Sequence, residues 1–526
     1  MNFMNAIGET LNNELNVSTT ENGAIGYHTT GKELLDLNFA VASLRNMSDE
    51  EVVKRFKKAF CEDKILAMKW LFFARDVRQG LGERRLFRVV LADLVNSNPE
   101  MVIPVIDLIP EYGRYDDLWC LLDNDKSADV VYQIVYAQLT TDLADMEKGK
   151  PISLLAKWMP SINASSAKTK EYGKKLCKHT CWSEREYRKM LSKLRKYLDV
   201  VEVKMSDKNW SDIKYEAVPS RANLIYNNAF LRNDEARRKD YLDKLEKGET
   251  KINASTLFPH DIVHKYTNGC GSFWKTKDAT IEALWKALPD TVNGCGNTIV
   301  VADGSGSMTT RVDPHSRVSA LDVANALAIY FAEHSSGQFK DKYITFSERP
   351  QIVDFGNCDS LHAKLLKALT HSEVANTNIE AVFDLILTSA VNNNMSQEDL
   401  PANILIISDM EFDSCAVGSA IKSGYVDFWG RETYMYSIPD QRLFDTFAQK
   451  YANAGYKIPR LIFWNVASRT GTIPVKENDL GVALVSGFST NVAKMIMSGK
   501  TDPLECLLET LNSERYAPIE NALKGH

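Results

Sequence analysis

Asp303, Ser305 and Ser307 stand as Asp-x-Ser-x-Ser directly after the apolar run Thr298-Ile-Val-Val-Ala302. Five apolar or near-apolar residues between turn formers read as a buried strand, which puts the Asp-Gly-Ser-Gly-Ser tip at its carboxyl end, where open α/β sheets bind ligands. A second run, Ile404-Leu-Ile-Ile-Ser-Asp409, also ends in a carboxylate, and Ala375-Asn-Thr-Asn378 brings the Thr377 hydroxyl just ahead of a helix. Two carboxylates and three hydroxyls are a hard-oxygen set that matches an octahedral Mg²⁺ (or Mn²⁺) completed by water. The plain alternative is that Asp303 and Asp409 only cap the helices after their strands. Other chemistries lack residues. A phosphoaspartate enzyme wants a carboxylate where Ser305 stands, no Gly-x-x-x-x-Gly-Lys-Ser/Thr loop occurs, and Ser305 has no Gly-x-Ser-x-Gly frame. Cys177-Lys-His-Thr-Cys181 lacks a second ligand pair for zinc and reads as ordinary thiols.

The elements that must position this cluster begin at the turn-rich stretch Asp290-Thr-Val-Asn-Gly-Cys-Gly-Asn297. Beyond it, apolar runs at 298–302, 343–346, 351–355, 403–408, 459–465 and 481–486 alternate with helical periodicity, as in 319–331 and 378–387. That alternation predicts a doubly wound, Rossmann-like parallel sheet. Ser347-Glu-Arg-Pro350 is too short for a parallel crossover, so the strands on either side of it form a hairpin.

Residues before 290 read as helix after helix, at about 49–60, 63–75, 83–96, 126–146 and 151–158. Ser183-Glu-Arg-Glu186 is a capping box leading into 187–198, and a helix over 234–247 stops at Gly248. Many short helices with short connections suggest pairs stacked as a solenoid, although no fixed-period repeat is visible. The expected division is therefore 1–290 helical, 291–500 the sheet domain, and 501–526 a C-terminal helix or tail.

With 44% hydrophobic and 25% charged residues, the composition is ordinary for a globular protein. No window approaches a membrane span, the start lacks a signal-peptide pattern, and nine cysteines without framework spacing fit a reducing compartment. The expectation is a cytoplasmic protein, in the host cytoplasm if viral. Residues 1–290 carry 44 Lys+Arg against 42 Asp+Glu and residues 291–526 carry 19 against 27, so the halves are +2 and −8. Basic residues bunch at 54–88, eleven against four acids, and at 168–196, eleven against three. Arg75, Arg78, Arg84, Arg85, Lys168, Lys170, Lys174, Lys175, Lys178, Arg185, Arg188 and Lys189 are the candidate phosphate contacts, with Trp182, Tyr187, Tyr197 and Trp210 as candidate stacking rings. The alternatives are solvated helix faces and ordinary helix packing.

The oxygen cluster, with the strand and helix order around it, resembles the metal-ion-dependent adhesion site of von Willebrand factor A domains. That resemblance implies that Ser305, Ser307 and Thr377 touch the metal and that Asp303 and Asp409 act through water. The segments 75–87, 113–119 and 153–160 look like the TROVE module of the Ro autoantigen family. Closer still, Val201-Glu-Val-Lys204, Tyr215-Glu-Ala-Val-Pro-Ser220, Lys251-Ile-Asn-Ala-Ser255, Ser408-Asp-Met-Glu-Phe-Asp413 and Val482-Ala-Leu-Val-Ser-Gly-Phe-Ser489 resemble the domain of unknown function 2828 family. These resemblances imply an α + α/β protein in which a HEAT-like helical ring or horseshoe joins a von Willebrand A domain and binds structured or misfolded RNA. On that reading the chain is no enzyme, and its metal site takes a carboxylate donated by a protein partner. Gly113-Arg-Tyr-Asp-Asp-Leu-Trp119 reads instead as a structural corner in which Arg114 pairs with a carboxylate. A second reading drops RNA and makes the chain a protein-assembly factor or virion component. A third, catalytic reading would need a general base, for which His315 and His334 are the candidates.

Overall fold

The computed structural model describes residues 16, 18–21, 25–180, 182–267, 276–292, 297–346, 350–371, 379–412, 421–426, 432–437, 443–474, 481–492 and 502–525. Its helices start where the capping chemistry puts them. Ser48 accepts the Glu51 N–H ahead of α1 (Asp49–Glu62), whose first turn holds three acids that suit the positive end of the helix. Asp63 likewise accepts the Leu66 N–H and opens α2 (Lys64–Arg75). There follow α3 (Arg84–Ser97), α4 (Asp125–Glu147), α5 (Ala167–His179), α6 (Glu184–Tyr197), α7 (Ser220–Asn233), α8 (Glu235–Glu246) and α9 (Ala279–Lys286). The capping box at α6 is present: Ser183 and Glu186 each accept the other's backbone N–H. Gly248 takes φ +74° just beyond α8, a conformation glycine adopts without strain.

One expected helix is shorter than its sequence suggests. Over 151–158 only Leu155–Trp158 is helical. Buried Asp142 accepts both the Ser153 N–H at 2.9 Å and its hydroxyl at 2.6 Å, which holds the chain ahead of Leu155 out of the helix.

The sheet has six strands: β1 (Thr298–Asp303), β2 (Lys342–Phe346), β3 (Ile352–Asp354), β4 (Asn403–Ser408), β5 (Arg460–Asn465) and β6 (Val482–Ser486). Their order is β6-β5-β4-β1-β2-β3. All neighbours are parallel except β2 and β3, the expected hairpin. β1, β4, β5 and β6 are buried on both faces almost throughout, which is why they read as unbroken apolar runs. Helices α10 (Ala320–His334), α11 (Leu361–Thr370), α12 (Ile379–Asn392), α13 (Leu443–Asn453) and α14 (Pro503–Leu511) accompany the sheet in sequence. A further hairpin, Ile421–Val426 with Glu432–Ser437, had no counterpart in the sequence reading.

The chain divides into two compact units whose boundaries differ from a single cut at 290. The sheet unit takes in Met1–Met47, Phe258–Asp278 and Asp290–Thr510, and the helical unit takes Ser48–Leu257, Ala279–Pro289 and Leu511–His526. Long-range polar contacts explain the first of these additions. Thr20 donates to the Phe412 carbonyl, Ser43 to the Ser468 carbonyl at 2.6 Å, and Asn465 to the Phe39 carbonyl at 2.8 Å. The second is tied in by His264 and Thr267, both bonded to buried Asp322.

The final helix, α15 (Ala517–Lys524), packs into the helical unit. Arg515 pairs with Asp76 at 2.9 Å, Tyr516 stacks on Tyr112, and the Lys69 ammonium, 2% exposed, meets Glu520 at 2.9 Å and Asn512 at 2.7 Å. Hydrogen bonds from Lys524 and Lys69 pull the Glu520 carboxyl down to about 2. A carboxyl depressed on folding contributes stability that is present above its unfolded value and lost as pH falls toward 2. Glu520→Gln is therefore expected to cost about 1–2 kcal/mol at neutral pH, below the range for a fully buried pair because Glu520 is 31% exposed, and to flatten the loss of stability below about pH 4.5. Denaturant titrations at neutral pH and near pH 3 measure both effects, and an unchanged acid limb in the variant refutes the assignment.

Candidate functional site

β1 and β4 lie side by side in parallel register, Ala302 opposite Ile407, so Asp303 and Asp409 leave adjacent strands at the same edge. This edge is the switch point of the sheet, since the chain leaves β1 toward β2 on one side and later returns to β4 on the other. The hydrophobic flanks bury both carboxylates to 1% exposure.

Asp303 Oδ1 accepts the Ser305 N–H at 2.9 Å, and Oδ2 accepts the Ser408 hydroxyl at 2.7 Å. The Ser305 and Ser307 hydroxyls lie 2.9 Å apart and hydrogen bond to one another. Asp409 Oδ1 accepts the Glu411 N–H at 3.2 Å, while Oδ2 is buried without a hydrogen-bond donor. The Arg469 guanidinium stands 3.3 Å from that oxygen and also pairs with Glu21 at 2.6 Å.

Burial, and then the nearby Asp409 charge, push the Asp303 carboxyl well above its usual range. Burial also raises Asp409, against the pull of Ser307 and Arg469. Two buried carboxylates face one another here, with Arg469 the cation placed against Asp409. The hydroxyl pair suits a small divalent cation. Neighbouring ligands of an octahedral ion at about 2.1 Å are separated by about 2.9–3.0 Å, and Ser305 and Ser307 already have that spacing. Among the described residues no group of three or more His, Cys, Asp or Glu side chains is placed to hold a metal, so any cation here depends on hydroxyls and water. Thr377 lies outside the described residues.

Four contributors escaped the sequence reading, Arg469 and three residues around Asp409. Ser408 supplies a donor to Asp303. Glu411, fully buried, accepts the N–H groups of Arg469 and Thr470 at 2.8 and 2.9 Å and the Glu21 N–H at 2.8 Å, and so aims Arg469 at Asp409. Met410 adopts φ +63° between them, an unusual conformation for a buried side chain of this size. Its N–H is caught by the Ser408 hydroxyl at 3.0 Å. The only trace in the sequence is the polar Ser-Asp-Met-Glu run that closes an apolar strand.

The two candidate bases stand outside the strand ends that form the cluster. His315 sits on an exposed loop. His334 ends α10, bonded to the Tyr330 carbonyl, and the next residue, Ser335, bonds the Thr298 carbonyl at the amino end of β1, the opposite edge from Asp303.

The basic candidates separate by environment. Arg75 is 2% exposed and locked to Asp117 at 2.7 Å, so it is a core ion pair and not a phosphate contact. Asp117 also binds Arg88 at 2.6 Å and the Arg114 N–H at 2.9 Å, while Arg114 pairs with Asp116 at 2.9 Å, the structural corner expected of 113–119. Arg78 bonds the Glu111 carbonyl and Arg85 pairs with Asp49. Lys168 and Lys175 are neutralised by Asp123 and Glu171. Arg84, Lys170, Lys174, Lys178, Arg185, Arg188 and Lys189 are exposed. Among the rings, Tyr187 is fully buried with its hydroxyl on the Pro160 carbonyl, and Trp210 packs against the Val201–Tyr241 core. Neither is a stacking platform. Trp182 and Tyr197 keep exposed surface.

A helical unit and a mostly parallel sheet with a carboxylate and hydroxyl cluster at its switch point make this an α + α/β protein with a hard-oxygen site. The family model for the domain of unknown function DUF2828 matches residues 20–111 and 114–298, and the model for the domain of unknown function DUF7788 matches 297–517. The chain belongs to the DUF2828 family. It is similar to the uncharacterized protein L728 of Acanthamoeba polyphaga mimivirus, at 30% identity over 544 residues covering 96% of this chain and 89% of the viral one. No described helix is long and apolar enough to cross a membrane.

Proposed function

We propose that this protein is a non-enzymatic, Ro-like RNA-binding scaffold whose sheet domain, of von Willebrand A type, presents a divalent cation to a protein partner. The observation that carries the metal half is the hydroxyl pair of Ser305 and Ser307 at octahedral spacing beside two buried carboxylates, Asp303 and Asp409, the second of which has the Arg469 guanidinium 3.3 Å from its Oδ2. Ser305 and Ser307 hold Mg²⁺ or Mn²⁺ directly, and Asp303 and Asp409 orient bound water. The cation supplies a Lewis-acidic position for a carboxylate oxygen from the partner. The chain's own residues keep that position dry on its inner side and compensate the charge, and Arg469 screens Asp409 when no cation is bound.

The RNA half rests on the exposed cations of α5 and α6, and on a TROVE-like, HEAT-like helical part that acts in the cytoplasm, that of the host for a viral copy. Neutralised phosphates release counterions, so binding of a structured RNA is expected at low salt and should weaken steeply as salt rises. Electrophoretic mobility of a structured RNA at two salt concentrations tests this half. Mg²⁺-dependent pull-down with wild type and Asp303→Ala tests the other, and retention of every Mg²⁺-dependent partner by the variant would falsify it. The near-neutral charge of residues 1–290, 44 basic against 42 acidic, favours a second reading as an assembly factor that binds protein alone. Material purified without nuclease distinguishes them, since only an RNA binder carries nucleic-acid absorbance.

A further inference from the structure

Arg469 reaches the oxygen cluster from the loop after β5, and its backbone is held quite differently from its side chain. β4 and β5 end side by side, Ser408 opposite Asn465, so the loops that follow them leave the sheet at one edge. The Asn465 side chain accepts the N–H groups of Ala467 and Ser468 at 3.1 and 2.8 Å, and buried Glu411 accepts those of Arg469 and Thr470 at 2.8 and 2.9 Å. The loop backbone is thereby pinned at consecutive residues. Glu411 also accepts the Glu21 N–H at 2.8 Å, which brings Glu21 to the same place from the amino-terminal segment.

The Arg469 side chain is 37% exposed, and among the described residues its charge meets two carboxylates through a single nitrogen, Nη2. Glu21 Oε2 lies at 2.6 Å and Asp409 Oδ2 at 3.3 Å. The shorter contact is to a carboxylate that is 58% exposed, the longer to a buried one. Arg75 and Asp117 show the contrast of a fixed pair, 2.7 Å apart with 2% and 0% exposure. A guanidinium shared unequally between an exposed and a buried carboxylate can leave the buried one without losing its other partner. A divalent cation held by Ser305 and Ser307 would approach the same buried charge, and two cations on one carboxylate repel strongly where water screens little.

Resting on the metal reading above, we infer that Arg469 is a displaceable internal counter-ion, which balances Asp409 while the cluster holds no metal and swings onto Glu21 alone when a divalent cation binds. Cation affinity is then set by competition with the chain's own guanidinium, so the site fills only above a threshold concentration. Glu21 is a positioning residue in this scheme. It keeps the released guanidinium paired at the surface, and the pinned loop returns Arg469 to Asp409 when the cation leaves.

Calorimetric titration of the full-length chain with Mn²⁺ tests this in Arg469→Gln, Arg469→Lys, Glu21→Gln and the double variant Arg469→Gln/Glu21→Gln, with circular dichroism to check that each remains folded. Arg469→Gln is expected to bind Mn²⁺ roughly tenfold more tightly than wild type, and Arg469→Lys, which keeps the charge, to stay within about threefold of wild type. Glu21→Gln leaves the guanidinium committed to Asp409 and should weaken Mn²⁺ roughly fivefold. The same change made on top of Arg469→Gln should have little effect, because Glu21 acts through Arg469. Without divalent cations Arg469→Gln should melt below wild type, and Mg²⁺ should raise its melting temperature by more than that of wild type. An Mn²⁺ affinity that Arg469→Gln leaves unchanged or lowers overturns the counter-ion and leaves the metal reading standing. An equal effect of Glu21→Gln in both backgrounds overturns the transfer to Glu21. If Arg469→Gln does not fold, an unchanged affinity in Glu21→Gln is enough to overturn the inference. No Mn²⁺ binding by wild type or by Arg469→Gln overturns the metal reading itself.

Discussion

Asp117→Ala should destabilise the helical unit by about 3–5 kcal/mol, the range for removing one partner of a buried ion pair. Asp117 is fully buried and receives Arg75 at 2.7 Å, Arg88 at 2.6 Å and the Arg114 N–H at 2.9 Å. Burial pushes its carboxyl up, but Arg75 and Arg88 more than offset this and hold it below the usual range. Without it, the Arg75 guanidinium remains 2% exposed with its charge uncompensated, which costs far more than a lost surface pair. The corner is also tight. A Cβ at Gly113 would collide with the Asp117 carboxylate and the Arg75 guanidinium, so the backbone passes there only as glycine. Denaturant unfolding followed by circular dichroism measures the change, and a loss below about 1 kcal/mol would show that the pair is not what holds the corner. Asp117→Asn, which keeps the size and some hydrogen bonds, should fall between the two proteins.

Asp303→Asn is expected to move two quantities in opposite directions. Without divalent cations the variant should be more stable than wild type at neutral pH, because burial, and then the nearby Asp409 charge, penalise the ionised Asp303 carboxylate. The Asp303 carboxyl is raised on folding, so the folded state binds the extra proton and wild-type stability falls as pH rises from about 4 to about 7. The variant lacks that slope. Its affinity for Mn²⁺, measured by calorimetry, should drop by about 10–100-fold, the usual effect of losing a group that orients a metal's water. Addition of Mg²⁺ should raise the melting temperature of wild type and leave the variant nearly unchanged. An equal rise in both proteins would show that Asp303 takes no part in binding a cation.

Much of this was readable in the residues. The parallel strands announce themselves because burial on both faces leaves no polar alternation, as in Val300-Val-Ala302 and Leu405-Ile-Ile407. The hairpin of β2 and β3 follows from a connection too short for a crossover, and the helix starts at Asp49 and Glu184 from local capping chemistry that needs no tertiary partner. Asp303 and Asp409 could be brought together because parallel strands must end at one edge.

Other features depended on partners distant in sequence. Arg75 and Lys189 are both cations on helices rich in basic residues, yet one is core and the other surface, and the difference is Asp117, 42 residues beyond Arg75. Arg469 enters the oxygen cluster only because Glu411, 58 residues earlier, holds its backbone N–H, and Thr20 joins the sheet unit through a bond to Phe412 across 392 residues. The sequence by itself determined the six strands of the main sheet, the capped helix starts, and that one strand ends in hard oxygen ligands, since these follow from local propensity, periodicity and burial on both faces. Only the tertiary structure decided which charges face solvent, which are spent on one another, and which side chains complete the site, because a charge in sequence has no burial until another segment supplies its partner.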